Sequence, residues 1–190
     1  MSGSTLDLDR GPFWFGSAGI GNLMRPVSDD DAQATVDAAW DAGGRGFDTA
    51  PHYGLGLSER RLGAALAGRP RSEYLVSTKV GRLLVPGRGD GDDLEPGGFA
   101  VPNDLVRQWD PSPSGVRRSL DESPGRPGLD HVDVAYLHDP DVYSLPDGPT
   151  QAPPTPPELP AAGAVLAGAV RSHSAAPPEP PPAPRLPHVP

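Results

Sequence analysis

The 190-residue chain has no cysteine, which excludes a disulfide framework, a thiolate nucleophile and a zinc-thiolate site. It also lacks long apolar runs. Its longest, Ala161 to Val170, is far below the ~20 residues that span a bilayer. Met1 to Arg10 carries acids where a signal peptide would have an apolar core. A cytoplasmic protein with no membrane partner is expected. Positive charge is scarce as well: a formal net charge of -9 disfavours nucleic acid or an anionic surface as partner, since both require a basic face. A small soluble ligand fits better, and the oligomeric state stays open. Lysine is rarest of all, with one (Lys79) against fifteen arginines. Arginine stays protonated, whereas the pKa of a buried lysine moves, so a position that needs a tunable cation cannot take arginine. A composition bias that left one survivor by chance is the alternative.

What is present alternates between strand and helix patterns. Phe13 to Ser17 is a short apolar run closed by Gly19 to Gly21, a buried strand. Ser28 with Asp31 starts a helix whose Ala32, Val36, Ala39 and Trp40 share a face before Gly43 and Gly44 end it. Arg45 to Ala50 reads as a second strand, with the turn Pro51-His52-Tyr53-Gly54 behind it. Ser58 is placed to cap a second helix, and Tyr74 to Thr78 is a β-rich run into Lys79. Residues 82 to 109 read as a long Gly/Pro/Asp-rich loop. A third helix starts at Ser112 with Pro113 in its first turn and is cut short by Pro124 and Pro127. Val132 to Leu137 is the fourth strand. This order implies parallel crossovers and an α/β sheet, open or closed into a barrel.

From Pro149 the composition changes to proline and alanine, and strand-like alternation stops. Residues 1 to 148 therefore read as the folded part. Residues 149 to 190 read as polyproline II or a disordered tail, with Ala161 to Val170 as an isolated helical turn or two.

In parallel α/β folds ligands sit at the carboxyl ends of the strands. There the sequence puts Gly16 and Ser17, Asp48 and Tyr53, Lys79, and His138. A carbonyl reduced by hydride needs a proton donor at its oxygen. A tyrosine, with a usual pKa near 10, serves at neutral pH only beside a cation that favours its phenolate. Lys79 could be that cation, Asp48 could orient it, and His138 could hold the carbonyl. Each residue also has an ordinary structural role open to it: a turn cap for Asp48, a rim aromatic for Tyr53, a satisfied polar group for His138. The weight rests on all four falling at successive strand ends.

GFDTAPHYGLGLSERRLGAAL, STKVGR and DVAYLHDPD together resemble the aldo-keto reductase family. The resemblance covers roughly residues 10 to 145. It implies a (β/α)8 TIM barrel, of which about the first four β/α units are present, and a catalytic tetrad on Asp48, Tyr53, Lys79 and His138, with Tyr53 as acid/base. It also implies NADP(H) or NAD(H) as cofactor, with Gly16, Ser17 and Asp48 among its contacts, and no metal. The implied substrate is a small carbonyl or sugar, and the implied reaction interconverts aldehydes or aldoses with alcohols or lactones. GRLLVP, QWDPS and HDPD look most like the subgroup that acts on aldoses such as fucose or on pyridoxal-like aldehydes.

Other readings compete. A non-catalytic half-barrel would expose unpaired strand edges and show no turnover alone. A metal-dependent hydrolase could use Asp48, His52, His138, Asp139 and Asp141 but leaves Tyr53 and Lys79 without a task. A proline-rich adaptor accounts for the tail alone. An abrupt Pro/Ala/Arg/His-rich tail is also what a reading-frame slip in GC-rich coding DNA produces. Re-sequencing codons 120 to 190 is then expected to reveal further strands in a shifted frame, and a confirmed frame would reject the slip.

Overall fold

The computed structural model describes residues 11–87, 98–102, 104–122, 131–140 and 165–171. Seven strands are present among them: β1 (Trp14–Gly16), β2 (Gly46–Asp48), β3 (Leu75–Val80), β4 (Arg82–Pro86), β5 (Leu105–Trp109), β6 (His131–Leu137) and β7 (Val165–Arg171). Three helices lie between them: α1 (Asp29–Asp41), α2 (Leu57–Leu66) and α3 (Pro113–Asp121). One sheet has the order β1-β2-β3-β6-β7, and β4 and β5 form a separate antiparallel pair. Strands β1, β2, β3 and β6 run parallel. This is the α/β sheet expected from the alternating pattern.

The helices begin where local chemistry directs them. Ser28 caps α1 by accepting a hydrogen bond from the Asp31 amide at 3.1 Å, and Asp29, Asp30 and Asp31 add negative charge where the helix dipole is positive. Ser112 caps α3 in the same way through Gly115 N, with Pro113 at the first helical position. α3 stops at Asp121, before Pro124. The cap expected at Ser58 is not there. Gly56, in the left-handed region at φ +81°, precedes α2, while Ser58 lies inside its first turn and points into the sheet. A glycine can take that backbone angle, and Ser58 is left free for a tertiary task.

Two further expectations are corrected. Residues 82 to 109 are not one loop, because β4 and β5 pair from Arg82↔Trp109 to Pro86↔Leu105. Their apolar runs are short and far apart in sequence, so the Gly/Pro/Asp-rich stretch between them hid the pairing. Within the stretch expected to hold a helical turn or two, Val165–Arg171 is a strand that runs antiparallel to β6, from His131↔Arg171 to Tyr136↔Val165. The open edge of β6 offers a row of backbone donors and acceptors, and an extended segment satisfies them where a single helical turn could not. The rest of the proline-rich stretch expected to be disordered lies outside the described residues.

The core lies between the sheet and its helices. Val36 and Ala39 of α1, Leu62 and Leu66 of α2, Leu120 of α3, Phe47 of β2 and Val76 and Val80 of β3 belong to one buried cluster. Phe47 is the hub, with ring centroids 6.2 Å from Phe15, 6.4 Å from Trp40 and 6.2 Å from Tyr74. Because strand side chains alternate, Phe47, Val76 and Val80 on the helix side leave Asp48, Ser77 and Lys79 on the opposite face. That alternation separates the core from the polar site.

A buried carboxylate ties β3 to β6. Asp133 accepts from Val76 N at 2.7 Å and from the Arg71 guanidinium at 2.5 Å, with only 7% of its surface exposed. Asp133→Ala would leave a buried amide and a guanidinium without this carboxylate. It is expected to lower the unfolding free energy by about 3 kcal/mol, measured by urea denaturation followed by circular dichroism.

Candidate active site

The four residues expected to act together are brought together. Asp48, the last residue of β2, uses both carboxylate oxygens: Oδ1 accepts from Ser77 Oγ at 2.6 Å and Oδ2 from Lys79 Nζ at 2.5 Å. Lys79 also donates to the Thr49 carbonyl at 3.2 Å, and its Nζ lies 4.7 Å from the centre of the Tyr53 ring. His138, just past β6, has its ring centroid 6.2 Å from that of Tyr53 at a near-perpendicular angle. The backbone requires a glycine next to Tyr53. Gly54 has φ +61°, and a Cβ there would sit 2.1 Å from the Gly21 carbonyl oxygen, so the close approach of the Tyr53 loop to the turn after β1 needs a glycine here.

Burial is the largest effect on Lys79 and works against its charge, yet the Asp48 carboxylate, with hydrogen bonding to Asp48 and Tyr53, raises its pKa above the ordinary lysine value. Lys79 is therefore a fixed ammonium. The histidines go the other way. Burial first, then Arg82, His52, Lys79 and Arg107, pushes His138 down to about 2. Burial, then Arg107, Arg82 and Lys79, pushes His52 down to about 3. Both rings are neutral at physiological pH, so each carries one N–H. His138 is 5% exposed, and its Nδ1 has no hydrogen-bond partner among the described residues.

Gly16 and Ser17, expected beside a cofactor, differ in what they offer. Gly16 is exposed, has nothing within 4 Å of a hypothetical Cβ, and lines an open groove of about 810 Å³ with Gly19, Ile20 and Arg25. Ser17 is fully buried. Its hydroxyl donates to the Asp48 carbonyl at 2.7 Å and meets Ser58 Oγ at 2.7 Å, while Ser58 Oγ also donates to the Ser17 carbonyl. It is a joint between β1, β2 and α2 with no group turned outward, because those internal partners hold its hydroxyl, its amide and its carbonyl.

Several further residues stand at the site that no motif in the sequence marks for it. Phe99 stacks on Tyr53 with centroids 6.0 Å apart. The β4–β5 hairpin brings Arg82 to Asp139 at 2.8 Å and Arg107 to the His52 carbonyl at 2.9 Å. His52, considered earlier only as a metal ligand, has its ring 5.2 Å from that of His138. Its place directly before Tyr53 was the one available signal. The metal set is not assembled: Lys79 and Ser77 hold Asp48, Arg82 holds Asp139, and no group of three such ligands occurs among the described residues. Asp141 lies outside them. Nor does any helix among the described residues have the length and apolarity to cross a membrane.

A parallel α/β sheet brings Asp48, Lys79, Tyr53 and His138 together at its carboxyl end, where folds of this class hold their ligands. The aldo/keto reductase family model matches residues 12–164, most of the chain, and the protein belongs to that family. Its parallel strands and helices are therefore part of a (β/α)8 barrel, about the first four β/α units. The chain is 55% identical over 134 residues to D-threo-aldose 1-dehydrogenase of a Pseudomonas species, covering 69% of this chain and 40% of that one. It is 42% identical over 135 residues to pyridoxal 4-dehydrogenase of Microbacterium luteolum, covering 65% and 38%. Among solved structures, glycerol dehydrogenase of Gluconobacter oxydans aligns with a TM-score of 0.47 and 31% identity, over 63% of this chain and 33% of that one. The chain thus spans about two fifths of the length of the curated relatives it matches.

The neutral histidines predict a sign for acid stability. In the unfolded chain each titrates near the ordinary 6.5, whereas in the fold His52 and His138 take up protons only at about 3 and about 2. Between these values the unfolded state binds more protons, so stability falls as pH falls from 6.5 toward 3. Melting temperature followed by circular dichroism is expected to drop across this window, and to drop less steeply in His52→Phe.

Proposed function

We propose that the chain carries the proton-transfer side of an NAD(P)(H)-dependent oxidoreductase site, which interconverts aldehydes or aldoses with alcohols or lactones. The observation that carries this reading is the Lys79 ammonium, bonded to Asp48 and seated against the Tyr53 ring beside a neutral His138. A bound nicotinamide would supply or accept the hydride. The open face of Gly16 suits a flat ring, and Asp48, at the end of the neighbouring strand, borders the same place. Ser17 would act there by fixing the ends of β1 and β2.

In the reducing direction Tyr53 gives its phenolic proton to the carbonyl oxygen as the carbonyl carbon receives hydride. Negative charge develops on the Tyr53 oxygen and is stabilised by Lys79, which Asp48 keeps in place. His138 presents its single N–H to the carbonyl oxygen, orienting it and drawing electron density from the carbon. A neutral donor suits this task, because it polarises the carbonyl without releasing its own proton. In the oxidising direction the Tyr53 phenolate removes the proton from a hydroxyl. A cyclic aldose would then leave as a lactone. The names of the relatives above support a sugar or an aromatic aldehyde as substrate class.

A second reading, a non-catalytic portion of such an enzyme, is favoured by the span of the match and by β1, which among the described residues has one strand neighbour in the sheet. One assay separates the two: NADPH absorbance followed with an aldehyde in the 190-residue chain. Turnover that Tyr53→Phe lowers at least about 100-fold, with the Kd for NADPH unchanged, supports the catalytic reading. Turnover retained in Tyr53→Phe rejects Tyr53 as the donor, and NADPH binding without turnover in the wild type supports the second reading.

A further inference from the structure

His52 has no part in the proton transfer described above, yet it is held as firmly as the residues that do. Its backbone carbonyl accepts from Arg107 at 2.9 Å, and its Nδ1 lies 3.4 Å from Arg82 NH1. Its ring packs edge-to-face on Phe99 at 5.5 Å and on His138 at 5.2 Å, and lies 6.2 Å from Tyr53. The contact with Arg82 is long for a hydrogen bond, but its direction is fixed, because a guanidinium can only donate. Nδ1 must then be the acceptor, and the ring proton sits on Nε2. No side-chain or backbone partner of Nε2 occurs among the described residues, and the ring is half-buried, not sealed. A half-buried N–H donor beside Tyr53 and His138, with its tautomer set by Arg82, is suited to binding a ligand oxygen.

We propose that His52 is a specificity-determining residue, whose Nε2–H donates to the hydroxyl oxygen next to the reacting carbonyl and so selects hydroxyaldehydes and aldoses over aldehydes that lack this hydroxyl. The assignment rests on the oxidoreductase reading above and narrows its substrate class. Two aromatic faces, Phe99 and His138, leave the His52 ring little freedom to turn. A substrate without the hydroxyl would leave that donor without a partner.

The test pairs lactaldehyde with propionaldehyde, which differ by that one hydroxyl. His52→Phe keeps a ring in the aromatic cluster and removes the donor. It is expected to lower the lactaldehyde-to-propionaldehyde ratio of kcat/KM about tenfold, and His52→Gln, which retains an N–H donor, is expected to recover part of the ratio. An unchanged ratio in His52→Phe overturns the proposal, since a packing role alone would affect both substrates alike. A second measurement does not depend on turnover: 15N NMR of the histidine-labelled 190-residue chain with the corresponding alcohols. The His52 Nε2 resonance is expected to be of the protonated type and to shift with 1,2-propanediol but not with 1-propanol. An unprotonated Nε2, or no selective shift, overturns the proposal. If the wild type reduces neither aldehyde, the catalytic reading falls while the resonance still decides the role of His52.

Discussion

The ion pair between Asp48 and Lys79 joins two adjacent strands at the place where chemistry would occur. A lysine at the end of a central strand is costly to bury, and the burial that disfavours its charge is outweighed chiefly by a carboxylate from the next strand that meets it at 2.5 Å. Ser77, at the register position opposite Asp48, donates to the other carboxylate oxygen and fixes its rotation. Tyr53 sits against that fixed ammonium, whose charge adds to the burial and the arginines that keep two nearby histidines neutral.

Parallel strands meet only at backbone ladders, so their ends need other fasteners. The start of α2 supplies them. Ser58 bonds the Ser17 carbonyl at the end of β1 and lies 3.1 Å from Thr49 Oγ1 after β2, and Glu59, 2% exposed, accepts from Thr78 of β3 at 2.8 Å. One helical turn thus braces three strand ends behind the site. The β4–β5 hairpin braces the front, where its arginines hold the loop after β2 and the residue after His138. The polar residues on the rim are gripped from both sides, which suits a site that must orient small ligands without large motions.

Much of this was legible in the sequence. Short apolar or β-rich runs closed by turns marked the parallel strands and period-3.6 patterns the helices, because a buried strand and an amphipathic helix each impose their own pattern. Asp48, Tyr53, Lys79 and His138 stood out because strand ends are where such folds present ligating groups, and the lone lysine drew attention by its rarity. The misses share a cause. Ser58 looked like a cap because Ser often caps, and only the tertiary contact with Ser17 reveals its task. The pairing of β4 with β5, and of Val165–Arg171 with β6, depends on partners remote in sequence. The role of His52 could not be read from composition, since it depends on two arginines that approach from that unseen hairpin.

The solitary lysine has a practical consequence. Every other basic side chain is arginine or histidine, so the ε-amine of Lys79 is the one side-chain amine in the chain. A reagent directed at amines, such as formaldehyde with a mild reductant, would place an isotopic methyl label on the N-terminus and on that single nitrogen. Because Asp48 keeps Lys79 protonated and the fold half covers it, labelling would be slow in the folded protein and fast once the fold opens. The rate at which the label enters would thus report the opening of the β2–β3 junction, without any introduced probe.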